Sequence, residues 1–307
     1  MSCKSIPSLS STASKTHFPK YKIPTPIPYN LSLQLNGNRI HQFSSLRIKR
    51  YCYPPNITAS LELPLLPFNT TEVLVPSESK TLHLYEARYL ALLEESLLRK
   101  QKLFVHFVLD PILISSSGTE ASFAAIYGCL VSIENVERLD VGALVSIRGI
   151  GRIKIIRVLQ LQSAPYLIGE VVPMQDRNLD SAGKLTSQVS AVKEAICSLN
   201  SLEIKLKAPK EALLQTRIAN SLTWAEKEPS LECDRAFVPS LAERISFAAL
   251  QPISGSTESE MIKLQQLKLK AMDVKDTLQR LDNSLQIVNE NILMVAAKLA
   301  IQSLEMR

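Results

Sequence analysis

The sequence predicts an α+β protein: a small closed or half-closed β barrel with one early helix, then an α-helical bundle and a long C-terminal helix. Three observations predict it. Between residues 61 and 177, short branched and aromatic runs alternate with Gly, Pro and Ser. Beyond that point the apolar period becomes that of a helix. From Ser256 onward, apolar residues recur at alternating spacings of three and four. These shifts of texture set three regions, 1–60, 61–177 and 178–307.

The first region has no core to build. Residues 1–60 hold eight basic residues and no Asp or Glu, with 10 Ser, 4 Thr and 7 of the chain's 17 prolines. A basic, acid-free, hydroxyl-rich head without regular apolar spacing reads as a disordered transit peptide. The prolines, and Lys in excess of Arg, disfavour an early Arg-rich amphipathic helix, so the chloroplast is the expected destination and the mitochondrion the alternative. A disordered tail that stays attached is the other reading of the same residues.

The elements of the second region follow in order. Leu61–Pro67 and Val73–Val75 read as short, Pro-punctuated strands. Tyr85, Tyr89, Leu92, Leu93 and Leu97 share one face of a helix running from Tyr85 to Leu98. Strands are expected at Leu103–Leu109, Phe123–Ile133, Ala143–Ile150, Arg152–Leu161 and Tyr166–Val172, with Gly149-Ile150-Gly151 as a hairpin turn between two of them. Val105, Phe107, Ile126, Leu130, Val145, Ile147, Ile153 and Ile155 would fill the core. Closure would protect the strand edges.

In the third region, helices are expected at 181–207, 209–226 and 240–250, divided by Pro209, Pro229, Pro239 and Pro252. The last segment carries a heptad seam from Leu264 to Leu299. A parallel homodimer would set Lys263 and Lys270 near Lys268 and Lys275, so antiparallel pairing or docking onto the chain's own helices fits better. Asp273-Val274-Lys275-Asp276 resembles a helix start, which would split the seam between two helices meeting near Met272.

Charge and motif content narrow the function. The net charge of +6 resides in the head, because residues after 60 hold 27 basic against 29 acidic side chains. Nucleic-acid binding is therefore not expected. Five scattered cysteines without metal-ligand spacing argue against a disulfide framework or a zinc site. No Gly-x-x-x-x-Gly-Lys-Ser/Thr and no Gly-x-Ser-x-Gly occurs, and beyond the head only His83 and His106 remain, neither beside an evident partner. No enzyme activity, cofactor or metal is expected. No membrane span is expected either, since no run approaches 18 uninterrupted apolar residues.

Ordered motifs add a resemblance. Leu63-Pro-Leu-Leu-Pro-Phe68, Val73-Leu-Val-Pro76, Leu82-His-Leu-Tyr-Glu-Ala-Arg-Tyr89, Arg148-Gly-Ile-Gly-Arg152 and Pro165-Tyr-Leu-Ile-Gly-Glu-Val171 resemble the N-terminal, substrate-recognition domain of the Lon protease family. A weaker likeness runs on through Leu241–Leu250 and Met272–Leu278, giving coverage of about Leu61 to Leu285. Ser77 stands where the family has Gly and Ala87 where it has Pro, which suggests altered turns; an insertion falls near Ser115–Ser122. The resemblance implies a PUA-like barrel backed by helices. It also implies a stand-alone, noncatalytic module that binds exposed apolar or unfolded polypeptide, or a protease or chaperone partner, in protein quality control. Neither the ATPase nor the Ser-Lys protease module of the full-length family members has a counterpart in these motifs. Leu84, Tyr85, Tyr89, Arg148, Arg152 and Tyr166 are the candidate peptide-binding residues, with Arg88 as a barrel-holding residue. RNA binding, by analogy of barrel type, and a coiled-coil adaptor role with self-association through the C-terminal helix are the alternatives.

Overall fold

Strand pairing, read in a computed structural model, shows how the branched runs are used. The structure describes residues 59–112, 122–159, 164–176, 182–207, 216–227 and 235–305. Residues 1–58 of the head, the insertion segment 113–121 and the first part, 209–215, of the helix expected at 209–226 lie outside these. Six strands form one sheet: β1 (Leu61–Phe68), β2 (Ser79–Leu84), β3 (Leu103–Ile112), β4 (Ser122–Arg138), β5 (Ala143–Leu159) and β6 (Leu167–Pro173). Their order is β2-β5-β4-β3-β1-β6, and β6 also pairs back onto β5. That last pairing joins β5, β4, β3, β1 and β6 in a closed ring, with β2 attached to the first half of β5.

Two local rules explain the strand chemistry. The prolines of β1 fit because the strand divides its pairing: Leu61–Leu65 match β6 and Leu65–Phe68 match β3. Pro64 and Pro67 each fall where ladder pairing runs on one side, so neither missing N–H breaks a bond the sheet needs. The 149–151 segment corrects the expected hairpin turn. It lies inside a single 17-residue strand, where the register with β4 skips Ile150. Two residues of β5 there oppose one step of β4, which is a β-bulge, and the strand changes its second partner from β2 to β6 across it. A Cβ on Gly149 would collide with the Val75 carbonyl, and one on Gly151 would lie 2.6 Å from the Phe237 oxygen.

The expected strand at Val73–Val75 is likewise absent. That segment is a fully buried connection, and the strand forms six residues later at Ser79–Leu84. Between them Ser77 holds a left-handed φ of 70°. A serine there is strained relative to glycine. The conformation is fixed by its N–H donating to the Gly149 carbonyl at 2.8 Å and by a 2.7 Å contact between its hydroxyl and that of Ser221.

Six α-helices and a short 3-10 helix at Arg235–Phe237 complete the described chain: α1 (Ala87–Arg99), α2 (Ala182–Lys207), α3 (Arg217–Glu226), α4 (Leu241–Ala248), α5 (Glu258–Asp273) and α6 (Thr277–Glu305). Thr216 and Ser240 cap α3 and α4, and Thr257 with Glu260 forms a capping box on α5. The heptad seam belongs to two helices. The carboxylate of Asp276, not Asp273, accepts from the amides of Leu278 and Gln279 where α6 begins. The seam docks inward: Leu281, Val288 and Val295 are fully buried with Val192, Ile196 and Leu199 of α2 and Ile245 of α4. By length and composition alone α6 could cross a membrane, but here that face is the core of the helical half.

The apolar interior has four parts. One fills the strand ring with Leu63, Leu65, Val105, Phe107, Leu130, Ile150, Ile153 and Ile155. A second packs α1, through Leu92 and Leu93, over Leu66, Phe104, Val131, Val145 and Ile147. The third is the helical core. The fourth joins sheet to helices through Val73, Val75, Val108, Cys129, Phe247, Leu250, Ala271 and Met272.

Candidate functional site

Two surfaces draw the candidate residues apart. The first is the buried seam between β5 and the helices. Arg152, 2% exposed on β5, donates from Nη2 to Glu243 Oε1 at 2.8 Å and to the Asp176 carboxylate. Its Nη1 reaches the carbonyls of Met272 and Val274, at 3.1 and 2.7 Å, at the break between α5 and α6. Arg280 of α6 approaches from the other side. It donates to Asp176, to the Val274 carbonyl at 2.7 Å and to the Ser246 hydroxyl at 2.7 Å. The ring of Phe247 lies under both guanidiniums, at 5.6 Å and 4.4 Å.

Two cations thus meet two anions, and the lone pairs and N–H groups are largely satisfied, which is the condition under which a buried ionic cluster can persist. Burial would raise the Asp176 carboxyl, but the Arg280 hydrogen bond and the charges of Arg280 and Arg152 overcome it and hold the group below its ordinary range. For Glu243 burial prevails over Arg152 and the group is pushed up. One barrel strand, the chain after β6, α4, the end of α5 and α6 converge on these four side chains. The arrangement fixes orientation.

Two further contacts serve the same seam. Arg148 bonds Glu134 at 2.8 Å, the Ser77 carbonyl at 3.0 Å and Asn220 of α3 at 2.7 Å. Lys268 of α5 pairs with Glu78 at 2.6 Å, and Glu78 in turn accepts from the Val75 amide. Cys129 is walled in beside them, and burial pushes its thiol far above its usual value, which leaves it without nucleophilic character.

The second surface lies around α1. Tyr85 is 60% exposed at the end of β2, with the His83 ring 5.6 Å away. The His83 ring meets the Val141 carbonyl at 3.1 Å, which ties this end of β2 to the β4–β5 turn, where Val141 is 69% exposed. Tyr89, Tyr166 and Leu97 are half-buried against the α1 core, and Leu98 stands almost fully exposed beyond them. Four charge pairs lie here: Lys80 with Glu72, Arg88 with Glu86, Arg138 with Glu94 and Arg99 with Glu95. Arg88 also stacks on Tyr89, so it braces the helix start from a half-exposed position, not from within the barrel.

The six sequence candidates therefore divide. Leu84, Arg148 and Arg152 are buried framework. Tyr85 is exposed, and Tyr89 and Tyr166 are half-buried against the α1 core. Asp176 and Arg280 lie outside the quoted motifs and Glu243 was not singled out within Leu241–Leu250, although an Arg within a heptad segment was a signal of a buried partner. Leu98 and Val141 were missed because single apolar residues off a helix face or in a turn look ordinary in sequence. Among the described residues no group of His, Cys, Asp and Glu is placed to hold a metal.

A closed strand ring clamped through buried ion pairs to a helical body defines a two-part α+β module. More particularly, the chain belongs to the family of the ATP-dependent protease La (LON) substrate-binding domain, whose model matches residues 62–295. No curated protein matches the chain. Among solved structures it is similar to a Lon N-terminal domain protein from Xanthomonas campestris, at 17% identity and a TM-score of 0.38, covering 73% of this chain and 96% of that one. It is also similar to the N-terminal domain of Mycobacterium avium complex Lon protease, at 14% identity and a TM-score of 0.43, covering 75% and 98%.

Proposed function

We propose that this chain is a noncatalytic module, PUA-like in its barrel, that recognises exposed apolar segments of unfolded polypeptides in protein quality control. The observation that carries the reading is the α1 surface. It leaves Tyr85 and Val141 exposed at the end of β2 and Leu98 exposed near the end of α1, with Tyr89 and Tyr166 half-buried, and Lys80 and Arg88 are paired with Glu72 and Glu86. Such exposed apolar side chains gain from burial against an apolar partner. Family membership supports a polypeptide as the ligand. The seam residues Leu281, Val288 and Val295 are packed within the chain, which favours the binding module over the adaptor alternative.

The test is retention of a reduced, carboxymethylated model protein on immobilised full chain, compared with the same protein in its native fold. Selective retention of the unfolded form is expected. Equal retention of both forms, or of neither, would overturn the reading. We further propose a chloroplast address, from the acid-free head. Residues 1–60 fused to a fluorescent protein are expected to deliver it to plastids and to be shortened there; delivery to mitochondria instead would overturn the assignment.

A further inference from the structure

The sheet leaves one ladder unfinished. β2 stands at the end of the strand order and pairs with β5 alone, antiparallel from Ser79 opposite Arg148 to Leu84 opposite Ala143. The backbone groups on its other side make no hydrogen bond to any described residue. An open row of alternating N–H and C=O groups is a template for one kind of occupant, another extended backbone.

From this edge we infer that β2 takes up the client polypeptide as an added strand. The inference rests on the proposed reading of the α1 surface and names its mode of recognition. Three observations favour an extended, uncharged, apolar segment as the occupant. The pleat of β2 alternates, with Ser79, Thr81 and His83 exposed and Leu82 and Leu84 buried, so an incoming strand meets a polar-bordered outer face and an apolar inner one. His83 and Tyr85 place rings at the end of β2, where side chains of the added strand pass. The nearest cation, Lys80, is already bound to Glu72 at 3.2 Å, so the edge holds no free charge to favour an anionic partner. β2 is also short, at six residues, and carries that lysine. Both features limit edge-to-edge pairing of folded copies while still admitting a flexible segment.

Because a substitution in β2 can perturb the sheet itself, the test places the change on the peptide. A capped heptapeptide of alternating Val and Thr with a central Phe is titrated into the full chain, beside two versions N-methylated on alternate residues. A strand edge engages every second residue of its partner, so one methylated set is expected to bind at least about tenfold more weakly and the other within about threefold of the parent. Amide exchange across Ser79–Leu84 is expected to slow on adding the parent peptide. If both methylated sets bind like the parent, or both lose binding equally, strand addition is overturned while polypeptide recognition stands. Outer-edge amides already protected without peptide would overturn it too, since the chain would then be covering its own edge. If the parent peptide fails to bind, the inference and the reading beneath it fall together.

Discussion

The seam and the α1 face use charge in opposite ways. At the seam Arg152, Arg280, Lys268 and Arg148 are taken out of water and matched to carboxylates and carbonyls contributed by distant parts of the chain. At the α1 face each pair is local or half-exposed, as with Arg88 and Glu86 or Arg99 and Glu95, and the exposed side chains include Tyr85 and Leu98. Buried pairs add little net stability against an apolar alternative, but a broken one is costly, so they act mainly on which arrangement is allowed. The contrast separates a part that must keep one geometry from a part that is free to meet a partner.

The largest effect is expected where that geometry is fixed. Arg152→Met leaves Glu243 and part of the Asp176 carboxylate buried without their cation, and unfolding in denaturant should show a loss of about 3–5 kcal/mol. A loss below about 1 kcal/mol would mean that the clamp is dispensable and that apolar packing alone joins barrel to helices. Gly149→Ala comes next. Its methyl group meets the Val75 carbonyl inside a closed strand ring, so the bulge or the buried connection must shift, at about 1–3 kcal/mol. The same denaturant measurement checks it, and an unchanged midpoint would show that the bulge has room the geometry does not reveal.

These two sites also mark what the sequence made legible. The strand and helix regions could be read from apolar period, and the motif Arg148-Gly-Ile-Gly-Arg152 drew attention to two of the arginines. Their roles were not readable, because a bulge and a hairpin turn share the same glycine-rich signature and only pairing on both sides tells them apart. Leu84 fell among the contact candidates because it flanks the first helix, and the sequence reading did not see the strand Ser79–Leu84 that turns its side chain into the core. Asp176 was invisible for a different reason. It acquires meaning from Arg152 and Arg280, which lie 24 and 104 residues away in the chain.

A smaller effect sharpens the contrast by pH. His106 of β3 is buried, stacks on Phe68 at 3.8 Å between centroids and leaves Nε2 without a hydrogen-bond partner. Burial, and then the charge of Lys80, hold it well below its ordinary value of 6.5. The unfolded chain therefore binds a proton that the folded chain refuses. The stability from neutral His106 is complete above about pH 6.5 and falls as pH drops toward the folded value, at up to about 1.4 kcal/mol per unit. His106→Phe, which preserves the stack, should flatten this slope between pH 6.5 and 5 in denaturant titrations. An unchanged slope would assign the acid sensitivity to the carboxylates of the seam instead.

The smallest effect on stability is expected at the α1 face, and there the comparison can be broken outright. Tyr85→Ser and Leu98→Ser remove side chains that are 60% and 82% exposed, so the folded state loses little packing and unfolding should move by no more than about 0.5 kcal/mol. Retention of unfolded client should nevertheless weaken severalfold, because the area these residues leave in water is what a partner would bury. Arg152→Met, measured under conditions where it remains folded, should change retention less than either serine variant. The reverse ranking would place recognition at the seam and make the clamp a binding element whose charges open to the client.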